Sequence, residues 1–252
     1  SEAATGKPFV RYWVHNGFVN IDHEKMSKSL GNILVIKDLL RDYHPEALRL
    51  FLLSHHYRSP VDFSFQNISE ARANLDRFYS ALLGIEEFLA AKKEMIPLNP
   101  DGLKGTAREV YEKVSTVKEK FLEAMEDDFN TALALGTLHD LTRTLNRVLG
   151  EKGFRQDLAA AALLQEGRDR LLESGKILGL FQDAPAAYFA SQRKIYLQVK
   201  GLREEEIQEL IVKRDKARKI KDWARADEIR AQAASLGIVL EDGPQGTTWR
   251  PA

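Results

Sequence analysis

The spacing of apolar residues divides the chain into stretches of different periodicity. Ile68, Ala71, Leu75, Phe78, Leu82, Ile85 and Leu89 follow one another at alternating intervals of three and four. That interval lines them up on one face of a long helix, a face that cannot stay in water. Val110, Val114, Val117 and Phe121 repeat the pattern. So do Ala134, Leu138, Leu141, Leu145 and Val148, and then Leu158, Ala161, Leu164, Leu171 and Leu178. Four helices with one apolar stripe each predict a bundle, interrupted longest over 97–105. Asp128 and Asn130 stand just before the third helix, where N-caps are expected; the Asp127-Asp128 pair suits capping and the helix dipole better than a catalytic dyad.

Other periodicities flank the bundle. Phe18-Val19-Asn20-Ile21-Asp22 alternates apolar and polar residues and predicts a short strand. A polar loop over 24–32 follows, then a helix from Val35 to Tyr43. Pro45 fits the first turn of a second helix carrying Ala47, Leu48, Leu50, Phe51 and Leu52, because a proline there gives up no needed N–H. Towards the end, 202–219 and 222–236 predict two helices, the second closed by Gly237. Ile238-Val239-Leu240 and Thr247-Thr248-Trp249 predict two strands around Asp242-Gly243-Pro244-Gln245-Gly246, which is turn chemistry. The stretch between, with Pro185, two nearby aromatics and mixed polarity, is expected to be a linker. The chain therefore divides into 1–62, mixed; 63–182, a helical bundle; 183–201, a linker; and 202–252, a small α+β unit that buries little surface by itself.

Composition narrows the class. The 252 residues are 44% hydrophobic and 29% charged, as in a soluble globular protein. No apolar run approaches the ~18 residues of a membrane span. Ser1-Glu2-Ala3-Ala4-Thr5-Gly6-Lys7 has neither the basic region nor the apolar core of a secretory signal, so a cytoplasmic location is expected. Cysteine is absent, which excludes disulfides, zinc–thiolate sites and cysteine nucleophiles. His44, His55 and His56 lack the paired carboxylates that would make them metal ligands, and no metal site is predicted.

Net charge is zero, but its distribution is uneven. Lys213, Arg214, Lys216, Arg218, Lys219, Lys221 and Arg225 stand against only Asp215 and Asp222, a local excess of five positive charges. Such a run is either a solvated helix face or an anion-binding surface. Around it lie groups suited to unstacked bases. Arg218 can donate twice to a guanine edge, Trp223 offers a stacking plane, Asp227 and Asp242 can accept from base amino groups, and the lysines supply phosphate affinity. Each has a plainer role as well: Trp223 as a core aromatic, Asp242 as a turn residue, Arg218 and Asp227 as surface ion-pair partners. Trp249 is expected to pack.

Residues 25–29 read Lys25-Met26-Ser27-Lys28-Ser29, followed by Leu30-Gly31-Asn32. Two lysines three apart with small residues between can both address one polyanion. Such a loop, after a strand and before a helix, can hold a triphosphate and stabilise charge on departing pyrophosphate. The string matches letter for letter the KMSKS signature of class I aminoacyl-tRNA synthetases. Within that class the chain resembles the cysteinyl-tRNA synthetases. The resemblance rests on Tyr12-Trp13-Val14-His15-Asn16-Gly17-Phe18-Val19, on Asp128-Phe129-Asn130-Thr131, and on 218–227 and 237–250. Glu126 departs from the family's acidic run.

The resemblance implies a mostly α chain: the KMSKS-containing end of a class I catalytic region, an antiparallel helical bundle, and an anticodon-binding unit. It implies that Lys28 binds ATP phosphates with Lys25 assisting, the loop Lys25, Met26, Ser27, Lys28 and Ser29 forming the ATP site. It implies that Arg218, Trp223, Asp227 and Asp242 read the G-C-A anticodon of tRNA(Cys). The family's zinc ligands and its His-Ile-Gly-His-type motif are not in this sequence. The chain is therefore expected to be the C-terminal part of a longer enzyme, with cysteine bound by the missing N-terminal half, and alone not to make cysteinyl-adenylate. A stand-alone tRNA-binding module is the alternative. A ligase joining cysteine to an amino sugar would leave the base-reading unit idle.

Overall fold

The structure, a computed structural model, describes residues 1–21, 24–25, 34–92, 97–243 and 246–251, with 24–25 described by their backbone. The described chain is mostly helical and forms two compact units, one of 1–34 and 46–182, the other of 35–45 and 183–252.

The first unit opens with a one-turn helix α1 (Glu2–Thr5) and an extended stretch in which Phe9, Tyr12, Trp13 and Phe18 are exposed. The expected strand is β1 (Val19–Ile21). Part of the expected polar loop is a second strand, β2 (Glu24–Lys25), antiparallel to β1 with Asn20 opposite Lys25. A strand that periodicity did not predict, β3 (Val61–Phe63), completes the sheet parallel to β1, in the order β2-β1-β3. Three residues are too few for an alternation to stand out; Val61 and Phe63 are nonetheless buried, as period-two geometry requires. α2 (Ile36–Asp42), which belongs to the second unit, stands where the apolar pattern puts it, and α3 (Pro45–Leu53) where Pro45 puts it.

The bundle is α4 (Phe65–Ala90), α5 (Gly105–Glu126), α6 (Thr131–Gly150) and α8 (Ala160–Leu178), with a short α7 (Lys152–Gln156) and a 3-10 turn at Pro100–Gly102. Its four stripes meet as expected: Ile68, Leu75, Phe78, Val110, Val114, Leu138, Leu141, Leu145, Leu164 and Leu171 are all essentially inaccessible. Each side chain of that size contributes roughly 1.5–3 kcal/mol by leaving water, so the stripes dominate the unit's stability. Leu158 departs from the prediction. It lies outside α8 and is 74% exposed, because Asp157 turns the chain there by accepting from the Ala159 N–H. Gly167 sits where a Cβ would come within 2.8 Å of Leu145, which lets α6 and α8 approach closely.

A buried carboxylate ties the start of this unit to its end. Glu46, in the first turn of α3, is 5% exposed and accepts from the Tyr79 hydroxyl at 3.0 Å. It also accepts from the backbone N–H groups of Phe181 and Gln182, each at 2.8 Å. Those two donors lie just past the end of α8, where Phe181 has φ of 60° and no helical partner.

In the second unit, 183–201 is not an open connection. Residues Pro185–Lys200 form helix α9, entered by Pro185 at its first position and ended by Gly201 in the left-handed region. Tyr188 is fully buried in it, edge-on to His44, whose Nε2 lies 3.0 Å from Asp183. α10 (Glu204–Lys219) and α11 (Trp223–Ser235) pack on each other and on the hairpin β4 (Ile238–Gly243) and β5 (Gly246–Pro251). Their core is Ile207, Leu210, Ile211, Ile229, Ala233, Ile238, Leu240 and Trp249. Trp249 packs as expected and donates from its indole N–H to Glu204 at 2.9 Å. The Tyr196 hydroxyl of α9 donates to the Leu236 carbonyl at 2.6 Å, 2.2 Å from where a Cβ on Gly237 would stand.

Candidate nucleic-acid interface

The basic run is built on the end of α10, the start of α11 and the turn between them. α10 opens on Glu204, Glu205 and Glu206 and closes on Lys216, Arg218 and Lys219, an order that complements the helix dipole at both ends. Lys221 turns the chain with φ of 60°. Asp222 then caps α11, accepting from the Arg225 N–H at 3.0 Å. One of the two acids in the run is thus spent on a helix terminus rather than on neutralising lysines.

The seven cations are not equivalent. Arg214 points inward; its side chain is 8% exposed and it donates through both Nη atoms to Asp242, at 2.7 and 2.9 Å. Counting it with the surface charge overstates the patch, since a 3.6-residue period turns one position in the run towards the core. Lys213 pairs with Glu209, and Arg225 with Glu228. Lys216, Lys219 and Lys221 are exposed, and no carboxylate among the described residues lies within salt-bridge distance of them. Those three are the cations available to a polyanion.

The four residues proposed from sequence as base readers fall into two pairs. Trp223 and Asp227 are one turn apart on α11 and share a face; Trp223 is 58% exposed and Asp227 is exposed. Trp223 is therefore not the core aromatic that was its plainer role. Arg218 and Asp242 are joined directly: Arg218 Nη1 stands 2.7 Å from Asp242 Oδ2. The carboxylate also takes the Thr247 hydroxyl at 2.9 Å. Asp242 is thus crowded with donors, and the expectation that it accepts from a base meets an occupied group. The hydrogen bonds from Arg214 above all, with that from Thr247, hold its carboxyl well below the usual range against the opposing effect of burial.

On the nucleotide side, Lys25 lies in β2 opposite Asn20. Met26, Ser27, Lys28 and Ser29, with Gly31, lie outside the described residues. The strand leading to them is held from behind. Gly17 donates its N–H to the Tyr57 carbonyl at 2.7 Å, and Val61 donates to the Phe18 carbonyl at 2.8 Å. Sequence reasoning gave Asp128 a capping role that the structure assigns to Asn130, which accepts from the Leu133 N–H. Asp128, with φ of 52°, instead accepts from the Tyr57 hydroxyl at 2.8 Å and from Arg58. No periodicity signals such a pairing, because its partners are 70 and 71 positions apart.

The donor set for the zinc that the resemblance implies is not built from these residues. The sequence has no cysteine, and among the described residues no three of His, Asp and Glu cluster as metal ligands would. Among the described residues, no helix is long and apolar enough to cross a membrane.

Three family models match the chain in succession: tRNA synthetases class I (C) catalytic domain over residues 1–73, DALR domain over 120–182, and Cysteinyl-tRNA ligase anticodon binding domain over 203–250. The Cysteine–tRNA ligase of Syntrophotalea carbinolica is 50% identical over 250 residues, covering 99% of this chain and 50% of that protein. That of Geobacter metallireducens is 51% identical over 255 residues, with the same coverage. Among solved structures, a putative arginyl-tRNA synthetase from Campylobacter jejuni superposes with a TM-score of 0.51 at 14% identity, over 66% of this chain and 39% of that one, a likeness of fold alone. The chain spans about half the length of the curated relatives it matches. With half its residues identical to theirs from one end to the other, it belongs to the family of the cysteine–tRNA ligases.

Proposed function

We propose that the chain supplies the ATP-binding KMSKS loop and the anticodon-binding surface of a cytoplasmic cysteine–tRNA ligase, which activates cysteine with ATP and transfers it to tRNA(Cys). The observation that carries this reading is the exposed turn between α10 and α11. There Lys216, Lys219 and Lys221, with no carboxylate partner among the described residues, stand near in sequence to Trp223, whose ring is open to solvent, within the segment matched by the anticodon-binding model. An aromatic face amid free cations is what an unstacked base and its phosphates require.

In this reading the cysteine carboxylate attacks the α-phosphate of ATP in line, giving cysteinyl-adenylate and pyrophosphate. No protein nucleophile takes part; positioning and charge stabilisation carry the step. Lys28, with Lys25, neutralises charge on the departing pyrophosphate, and Met26, Ser27 and Ser29 complete the loop around the phosphates. At the other site Lys216, Lys219 and Lys221 contact phosphates. Trp223 stacks on a base, Arg218 donates to a base edge, and Asp227 accepts from a base amino group.

Filter binding of the chain to tRNA(Cys) and to transcripts altered in the G-C-A anticodon tests the reading. Weak, strongly salt-dependent binding that favours G-C-A is expected. Equal affinity for every anticodon would leave only electrostatics and remove base recognition.

A further inference from the structure

We infer that Arg214, a buried residue with no access to nucleic acid, is a positioning residue for anticodon reading, acting through Asp242 on Arg218. The inference rests on the anticodon-binding reading above. Arg214 and Arg218 are one turn apart on α10 and converge on the same carboxylate at the end of β4. Asp242 Oδ1 takes Arg214 Nη1 at 2.7 Å and the Thr247 hydroxyl at 2.9 Å. Its Oδ2 accepts from Arg214 Nη2 at 2.9 Å and forms an ion pair with Arg218, whose Nη1 lies 2.7 Å away. A carboxylate has about four acceptor sites; three hydrogen bonds fill most of them, and the Arg218 ion pair stands beside them. Thr247 Oγ also lies 3.0 Å from Asp215 Oδ1, a second acceptor for the same hydroxyl proton.

The division of labour follows from exposure. Arg214 is 8% exposed, while Arg218 is 41% exposed and reaches solvent. The inner arginine grips the carboxylate in a two-point fork, which fixes its plane. The fixed carboxylate then holds the outer arginine through a single Nη atom. Of the five N–H donors on a guanidinium, most remain free, in the planar arrangement that matches O6 and N7 of guanine. A long side chain is thereby ordered before the nucleic acid arrives, and less rotamer freedom is lost on binding. Asp242 in this arrangement orients Arg218.

The test is filter binding of the full chain to transcripts with a G-C-A anticodon and with its guanine replaced, across a salt series. Arg214→Lys keeps the charge but loses the fork. It is expected to lower the preference for the guanine-containing anticodon roughly tenfold, the scale of a lost bidentate base contact, with the salt slope unchanged because no phosphate contact is removed. Thr247→Val, which removes one donor to the same carboxylate and keeps both arginines, is expected to lower it by about threefold. If Arg214→Lys melts at the wild-type temperature and keeps the wild-type preference, the inference is overturned. A salt slope reduced by about one would also overturn it, by making Arg214 a phosphate contact. If Arg214→Lys fails to fold, Thr247→Val decides, and an unchanged preference refutes the proposal. A wild-type chain with no preference would instead fail the anticodon-binding reading, before any variant is compared.

Discussion

Arg58 donates from Nε to Asp128 Oδ2 at 2.6 Å and from Nη2 to Oδ1 at 3.2 Å, joining the segment before β3 to the connection between α5 and α6. The Tyr57 hydroxyl adds a third donor to the same carboxylate at 2.8 Å. The bonds from Arg58 first, and then from Tyr57, hold the Asp128 carboxyl below its ordinary value. The bond to Asp128 in turn raises the Tyr57 phenol above its own. A depressed acid stabilises the fold above its unfolded titration point and loses that contribution as pH falls through the folded one. Asp128→Asn is therefore expected to be less stable than wild type at pH 7, with the gap closing as pH falls below the ordinary carboxylate range. The raised phenol acts on the opposite limb: its contribution is complete below about pH 10 and is lost as pH rises through the folded value. Urea denaturation of both proteins across the acid range checks the first limb, and of Tyr57→Phe across the alkaline range the second.

A smaller change should do more damage at Gly17. A Cβ there would stand 2.2 Å from the Ser59 carbonyl oxygen and 2.8 Å from the Pro60 nitrogen, both backbone atoms. Backbone cannot swing aside as a side chain can, so Gly17→Ala must separate β1 from the segment that leads into β3. A destabilisation of about 1–3 kcal/mol is expected, the usual range for an overpacked site. Alanine at Gly136, which has open space around it, is the control for helix and chain effects. Chemical denaturation of the two variants should separate them clearly.

Stacking and charge can be told apart at the α10–α11 turn. Trp223→Ala is expected to weaken binding of a G-C-A transcript by about 1–3 kcal/mol, the range for one base on one aromatic ring. The melting temperature should barely move, because the ring is 58% exposed in the free protein. Lys219→Ala is expected to weaken all anticodons alike and to lower the salt slope by about one. Binding isotherms at several salt concentrations, for both variants and two anticodons, distinguish the signatures. A Trp223 variant with a reduced slope and no loss at fixed salt would contradict the stacking role.

What the sequence disclosed depended on how local each cause is. The bundle was legible because one residue in three or four must face the core, and Ile68, Leu75, Val114 and Leu141 keep that interval through whole helices. α9 was not, because its burial rests on Tyr188, Gln192 and one face of Tyr196, a mixture of aromatic and polar groups with no apolar rhythm. β3 was too short to announce itself, and its partner β1 lies some forty residues upstream. At the candidate interface Trp223 and the lysines were found from type and clustering, since exposure is the default for residues beside a turn. Arg214 escaped for the opposite reason. Within a basic run one more arginine looks like surface, and only the helical phase, taken with the position of Asp242 on the hairpin, marks it as internal.

The grip of Glu46 on Phe181 and Gln182 bears on how the protein is made. The acceptor leaves the ribosome first, and its two main-chain donors follow 135 and 136 residues later. At synthesis rates of about 5–20 residues per second the nascent chain waits on the order of ten seconds for them. During that interval the carboxylate lacks these two main-chain donors. Closure of this unit is thus a late event in translation, timed by the emergence of the residues that follow α8.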